Sequence, residues 1–166
     1  MITIRDYHAR DAEPVGRLIA DTFGAFNLSF APPEQRALYL GPFRHARSPD
    51  PAHRAAIARV IAADMVLVAE EEDEIIGVLR GRADKLQSLF VRADHHRRGI
   101  GRRLVMHFEQ ACRQQGSSVI RLQATLYAVP FYRALGYKKS TGVRTGQIFD
   151  GTGFKYQPMK KVLWAD

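Results

Sequence analysis

The stretch that most constrains this chain runs from Lys85 to Gly116. An apolar segment, KLQSLFV, meets a basic joint, DHHRRGIGRRL, and a helical pattern follows to about Gln115. Ile100, Leu104, Phe108, Ala111 and Cys112 recur on one face of that helix, and Gly116 ends it. A second strand, SVIRLQAT, comes next. A strand, a helix and a strand joined so closely predict a right-handed parallel crossover.

The flanking sequence adds more strands and helices. ITIRDY alternates as a strand, and Asp11–Phe23 reads as a helix with Asp11 as its cap and Pro14 in its first turn. Pro32-Pro33 opens a short helix through Glu34 to Leu40, and a second helical pattern covers His53–Ala63. MVLVAE and IIGVLRGR form a hairpin around an acidic turn. AVPFYRALGY holds a short helix with Pro130 at its start and Gly136 at its end. Two final strands, Tyr137–Ile148 and Phe154–Leu163, flank the turn signal DGTG. With neither repeat nor linker, the expectation is a single α/β domain, residues 1–166, around a mixed sheet.

The net charge of +8 admits either nucleic acid or a small anionic ligand, and its placement decides. Arg80, Arg82, Lys85, Arg92, Arg97, Arg98, Arg102 and Arg103 fall in one segment against Asp84 and Asp94. This is neither a tail nor an arm with interleaved aromatics, which argues against a nucleic-acid reader. The acids from Glu70 to Glu74 are expected to be a solvated hairpin tip. No apolar run is long enough to span a bilayer, and MITIRDYHARDAEP lacks a signal layout, so no membrane and a cytoplasmic location are expected. Cys112 is the single cysteine, and no Cys/His spacing suggests a metal.

The glycine pair sits where a strand becomes a helix. The first amides of a helix lack partners and lie at the positive end of its dipole. Glycines admit close approach and positive φ, which suits a phosphate. A P-loop would need Gly-Lys-Ser/Thr, and a dinucleotide fingerprint a third glycine near Leu104; neither is present. The pair alone therefore fits a ligand site and a glycine-eased turn equally well.

HHRRGIGRRL after an apolar strand, with AVPFYRALGY one strand further on, resembles the GNAT superfamily of acetyl-CoA-dependent N-acetyltransferases. That family carries Gln/Arg-x-x-Gly-x-Gly/Ala at this joint; His96 stands in the first position here. The likeness is most specific over Lys85–Tyr137. It implies a GNAT-like fold: a mostly antiparallel twisted sheet, a central parallel pair splayed for CoA, and helices on both faces.

The resemblance also implies acetyl-CoA as cosubstrate, with its pyrophosphate on the amides of Arg98, Gly99, Ile100, Gly101 and Arg102. Arg97 and Arg103 would serve the phosphates or adenosine. The pantetheine would lie beside Leu89, Phe90 and Val91, and Ala128 and Phe131 would pack on the cofactor. Tyr132 would protonate the departing thiolate, since a phenol is protonated at neutral pH. Tyr127 stands where the family often has Asn, so that contact is not carried over. Glu70, Asp84 and Asp150 are the acids weighed as general base, and none is assigned. His95 and His96 are expected to face solvent or the phosphates, and Cys112 to be a buried hydrophobe.

The implied activity is direct transfer of an acetyl group to a primary amine, on a small molecule or a peptide. The rivals are an acyl-CoA-binding module without turnover and, lower, a nucleic-acid-binding domain. A homodimer is one assembly the family adopts. Phe23–Tyr39 and the closing hairpin are expected to shape the acceptor side.

Overall fold

A computed structural model describes residues 1–163; the last three residues of the expected domain lie outside the described residues. The strands are β1 (Ile2–Asp6), β2 (Met65–Glu71), β3 (Glu74–Arg82), β4 (Lys85–Val91), β5 (Val119–Thr125), β6 (Lys138–Lys139), β7 (Arg144–Ile148) and β8 (Gly151–Val162). The helices are α1 (Ala12–Thr22), α2 (Pro33–Leu40), α3 (Pro51–Ile61), α4 (Ile100–Gln114) and α5 (Val129–Ala134). A π-helical turn, Phe23–Asn27, extends α1.

All the strands join one sheet in the order β1-β2-β3-β4-β5-β8-β6, with β7 also on β8. Neighbours are antiparallel except β4 and β5, which run parallel across the α4 crossover. This is the mixed, mostly antiparallel α/β fold expected. The β2–β3 hairpin turns at Glu72 and Asp73, both at positive φ (50° and 65°), as a tight two-residue hairpin requires.

Helices cover both faces. On one, Ile100, Leu104, Phe108 and Cys112 of α4 pack on Leu79, Leu86, Ile120 and Leu122. On the other, Val15, Leu18 and Ile19 of α1 and Ile57 and Ile61 of α3 pack on Val68, Val78 and Phe90. A smaller group, Leu28, Ala31, Tyr39 and Phe154, ties α2 to β8.

Several local expectations change. Helix α3 starts earlier than His53, because the Asp50 carboxylate accepts from the Ala52 amide at 2.8 Å and Pro51 opens the first turn. The final turn is at Phe149–Asp150, and Gly151–Gly153 of DGTG already belong to β8. The acidic hairpin tip is not simply solvated. Glu70 pairs with Arg5 (2.6 Å), Glu71 with His95 (2.9 Å) and Glu74 with Arg92 (2.9 Å).

Asp11 makes no side-chain cap for α1. It is buried, and accepts two hydrogen bonds from Arg5 (2.8 and 3.0 Å) and one from the His8 amide (2.8 Å). The Arg5 hydrogen bonds hold its carboxyl below the usual carboxylate range. A depressed folded value means the pair stabilises fully above the unfolded value, about pH 4, and is lost as pH falls through the folded one. Asp11→Asn is therefore expected to destabilise at neutral pH and to flatten the acid limb of the curve. Urea midpoints between about pH 2 and 6 measure this; an unchanged acid limb would rule out Asp11 as its source.

Candidate active site

Strands β4 and β5 pair at Lys85–Arg121 and Leu86–Leu122 and then diverge. The cause lies in β4. Arg80 faces Ser88 and Gly81 faces Leu86, which leaves Gln87 as an extra residue. Such a bulge bends the strand and shifts its side chains to the other face. Leu86 packs under α4, and after the bulge so do Leu89 and Val91, whereas Phe90 joins the α1 side.

The bulge also decides which backbone groups are left open. The Arg92 amide donates to the Ile76 carbonyl at 2.8 Å. By the alternation of an antiparallel ladder, Phe90 bonds to β3 as well, and Leu89 and Val91 turn their amides and carbonyls toward the gap. Phe90 thus does not offer its backbone as Leu89 and Val91 do. Its ring meets Phe23 at a tilt, with centroids 5.6 Å apart.

The gap is a cleft of about 290 Å³ between Leu89, Ala124, Ala128 and Tyr132, with Phe23 and Asn27 across it. The Asn27 amide donates to Thr125 Oγ1 at 2.7 Å, so the π-helical turn bridges to the far strand. Tyr132 is 6% exposed, yet among the described residues no fully buried side-chain polar atom lacks a partner. Its hydroxyl bonds to no described side chain or carbonyl and so opens into the cleft it lines. Burial pushes this phenol well up, so it holds its proton at neutral pH.

A polar support lies beneath Tyr132. Its ring meets Tyr137 edge-on at 5.7 Å. The Tyr137 hydroxyl donates to buried Glu109 at 3.4 Å, and Lys161 donates to the same carboxylate at 3.1 Å. Burial and then the Glu109 charge raise the Tyr137 phenol too.

The basic joint follows β4 and leads into α4. Gly99 is left-handed (φ +78°) and precedes the first turn of α4, where no side chain caps the amides. The first helical bond is Arg103 N–H to the Gly99 carbonyl, 3.0 Å, leaving the amides of Ile100, Gly101 and Arg102 outside the helical ladder. A Cβ on Gly101 would come within 3.1 Å of the Phe131 ring and 3.7 Å of Val91. Leu89, Ala128 and Tyr132 thus line the cleft, while Val91, Gly101 and Phe131 meet one another outside its lining and Gly99 stands at the start of α4.

The joint's basic side chains diverge. Arg103 donates to the Ile2 carbonyl at 3.0 Å, which commits it to β1, and Arg98 reaches Glu71 at 3.4 Å. Arg97 and Arg102 pair with no carboxylate among the described residues. His95 is not solvent-facing: it is buried between Asp94 (2.7 Å) and Glu71 (2.9 Å). His96 donates from Nε2 to the Val91 carbonyl at 2.7 Å, since a carbonyl can only accept, and its ring packs on Phe26 at 4.8 Å. Phe26 also reaches the exposed Tyr127 ring at 5.9 Å.

Of the acids weighed as a base, Glu70 is held by Arg5, and neither Asp84 nor Asp150 lines the cleft. Cys112 is buried, and burial raises its thiol, so it stays protonated. Among the described residues no group of three or more His, Cys, Asp or Glu could hold a metal, and no helix is long and apolar enough to cross a membrane.

A family model for the acetyltransferase (GNAT) domain matches residues 43–163. Human N-acetyltransferase 8 is 35% identical over 95 residues, a match covering 49% of this chain and 40% of that protein. This chain therefore spans well under half of that relative. A GCN5-related N-acetyltransferase from Rhodopseudomonas palustris superposes with a TM-score of 0.79 at 21% identity, covering 97% of this chain and 95% of its own. The PaiA N-acetyltransferase of Thermoplasma acidophilum, solved with coenzyme A, gives 0.72 at 18% identity, covering 98% and 99%. The chain belongs to the GNAT acetyltransferase family.

Proposed function

We propose that this protein transfers an acetyl group from acetyl-CoA to a primary amine in a ternary complex. The observation that carries the reading is the cleft itself. It holds a protonated, cleft-facing Tyr132 between two diverging strands, one with an open backbone edge. A structural neighbour solved with coenzyme A supports the choice of cosubstrate.

The amides of Arg98 through Arg102 would bind the pyrophosphate at the start of α4, with Arg97 beside them. Leu89 and Val91 would hold the pantetheine amides, His96 releasing the Val91 carbonyl where that contact forms. Phe131 and Ala128 would wall the arm. When bound, acetyl-CoA supplies a thioester whose carbonyl carbon an amine can attack. An amide on the β4 edge would donate to the thioester oxygen, which gains charge as the carbon–nitrogen bond forms. Tyr132 would give its hydroxyl proton to sulfur as the carbon–sulfur bond breaks, and the proton that the new amide nitrogen sheds would restore the phenol. The cleft holds both reactants together, and this proximity supplies much of the rate.

Calorimetry with coenzyme A and acetyl-CoA tests the reading first. Saturable binding is expected, and no heat at millimolar ligand would sink it. Release of free CoA with a panel of amines (amino acids, polyamines, aminoglycosides, peptide N-termini) then tests turnover.

A further inference from the structure

One row of side chains has no place in this mechanism. Arg82 pairs with Lys85, Lys85 with Arg121, Arg121 with Lys160, and Lys160 with Lys138. Residues directly opposite in a sheet point to the same face. Cations from five neighbouring strands, β3, β4, β5, β8 and β6, therefore stand side by side. Ile120 and Leu122 pack under α4, so Arg121 and its row lie on the opposite face. All but half-buried Lys85 are exposed.

Like charges directly opposite destabilise a sheet, and this row has no internal relief. None of the five makes an ion pair among the described residues, whereas Arg5, Arg17, Arg47 and Arg92 each have a carboxylate partner. Among the described residues Asp84 alone adds a carboxylate to the adjoining trough, an open cavity of about 860 Å³ that Arg82, Lys85, Arg121 and Arg144 line. That trough and the catalytic cleft share Lys85, Leu122, Gln123 and Tyr156 as walls. Through Lys85 the row thus adjoins the cleft that an acceptor amine would have to enter.

We propose that this face binds an acidic peptide segment, the part of the acceptor that carries the amine into the cleft. Strands lie about 4.8 Å apart, so the row spans about 19 Å, the length of about six extended residues. A single amino acid is too short to meet it. A nucleic acid would match the charge, but its exocyclic amino groups are conjugated with the bases and are poor nucleophiles. The choice of acceptor rests on the acetyl-transfer reading; the binding of the acidic segment does not.

The test separates the two. Two peptides with a free N-terminal amine and a C-terminal fluorophore are compared by anisotropy, one with about six glutamates and one with as many glutamines. At low salt the acidic peptide is expected to bind at least about tenfold tighter, with a preference that falls as salt rises. In Arg121→Glu/Lys160→Glu that preference is lost, while coenzyme A binding by calorimetry is unchanged, which also shows the variant is folded. In the CoA-release assay the acidic peptide lowers KM and leaves kcat alone. Preferential binding without turnover of any amine supports the surface and refutes acetyl transfer. Equal affinity for the two peptides, an unaltered preference in the double variant, or tighter binding of a single-stranded oligonucleotide of equal charge overturns the proposal.

Discussion

Tyr132→Phe is expected to lower kcat for acetyl transfer by about two to four orders of magnitude, the range for removing a positioned acid. KM for acetyl-CoA should stay within about twofold, because the hydroxyl would act on the leaving sulfur and not on the bound ground state. The buried ring keeps its edge contacts with Phe131 and Tyr137 in the variant. Since the hydroxyl faces the cleft and bonds to no described side chain, the thermal midpoint should hardly move. Steady-state CoA release beside a melting curve reads both quantities. A kcat equal to wild type would remove Tyr132 as the acid and leave sulfur to depart as thiolate.

The parts of this site legible in the sequence are those encoded locally. Gly99 and Gly101 marked the strand-to-helix joint because glycine takes the positive φ at 99 without strain and, at 101, leaves room for the Phe131 ring. The apolar spacing of α4 and the Pro130–Gly136 bracket around α5 are likewise written in consecutive residues. What escaped was non-local. The acids of the β2–β3 tip read as a solvated run, yet their partners Arg5, Arg92 and His95 come from distant segments. Asn27 falls between two helical patterns of the sequence, and its hydrogen bond to Thr125 crosses 98 positions. The bulge at Gln87 did leave a trace. Leu86 and Leu89 lie three apart in a strand, where strict alternation would place them on opposite faces, yet they share one. That broken parity is the one local sign that β4 bends away from β5.

The same non-local logic sets the second large effect. Lys161→Met is expected to destabilise the fold by about 3 kcal/mol, because it strands the Glu109 carboxylate without its counter-ion. Glu109 is 4% exposed and rests on Lys161 and the Tyr137 hydroxyl. The lysine is about a quarter exposed, so the loss belongs at the lower end of the range for a broken buried pair. Urea unfolding measures it as a drop in midpoint with the slope unchanged. Glu109→Leu/Lys161→Met should recover most of the loss, since an apolar replacement of both partners leaves no unpaired charge. A double variant no more stable than Lys161→Met would mean that packing against Tyr137, and not the charge, carries the effect. The consequence reaches the cleft through one contact. Tyr137 meets the Tyr132 ring edge-on, so the single variant should also lower kcat at temperatures well below its melting point, and the double variant should restore it if Tyr137 regains its seat.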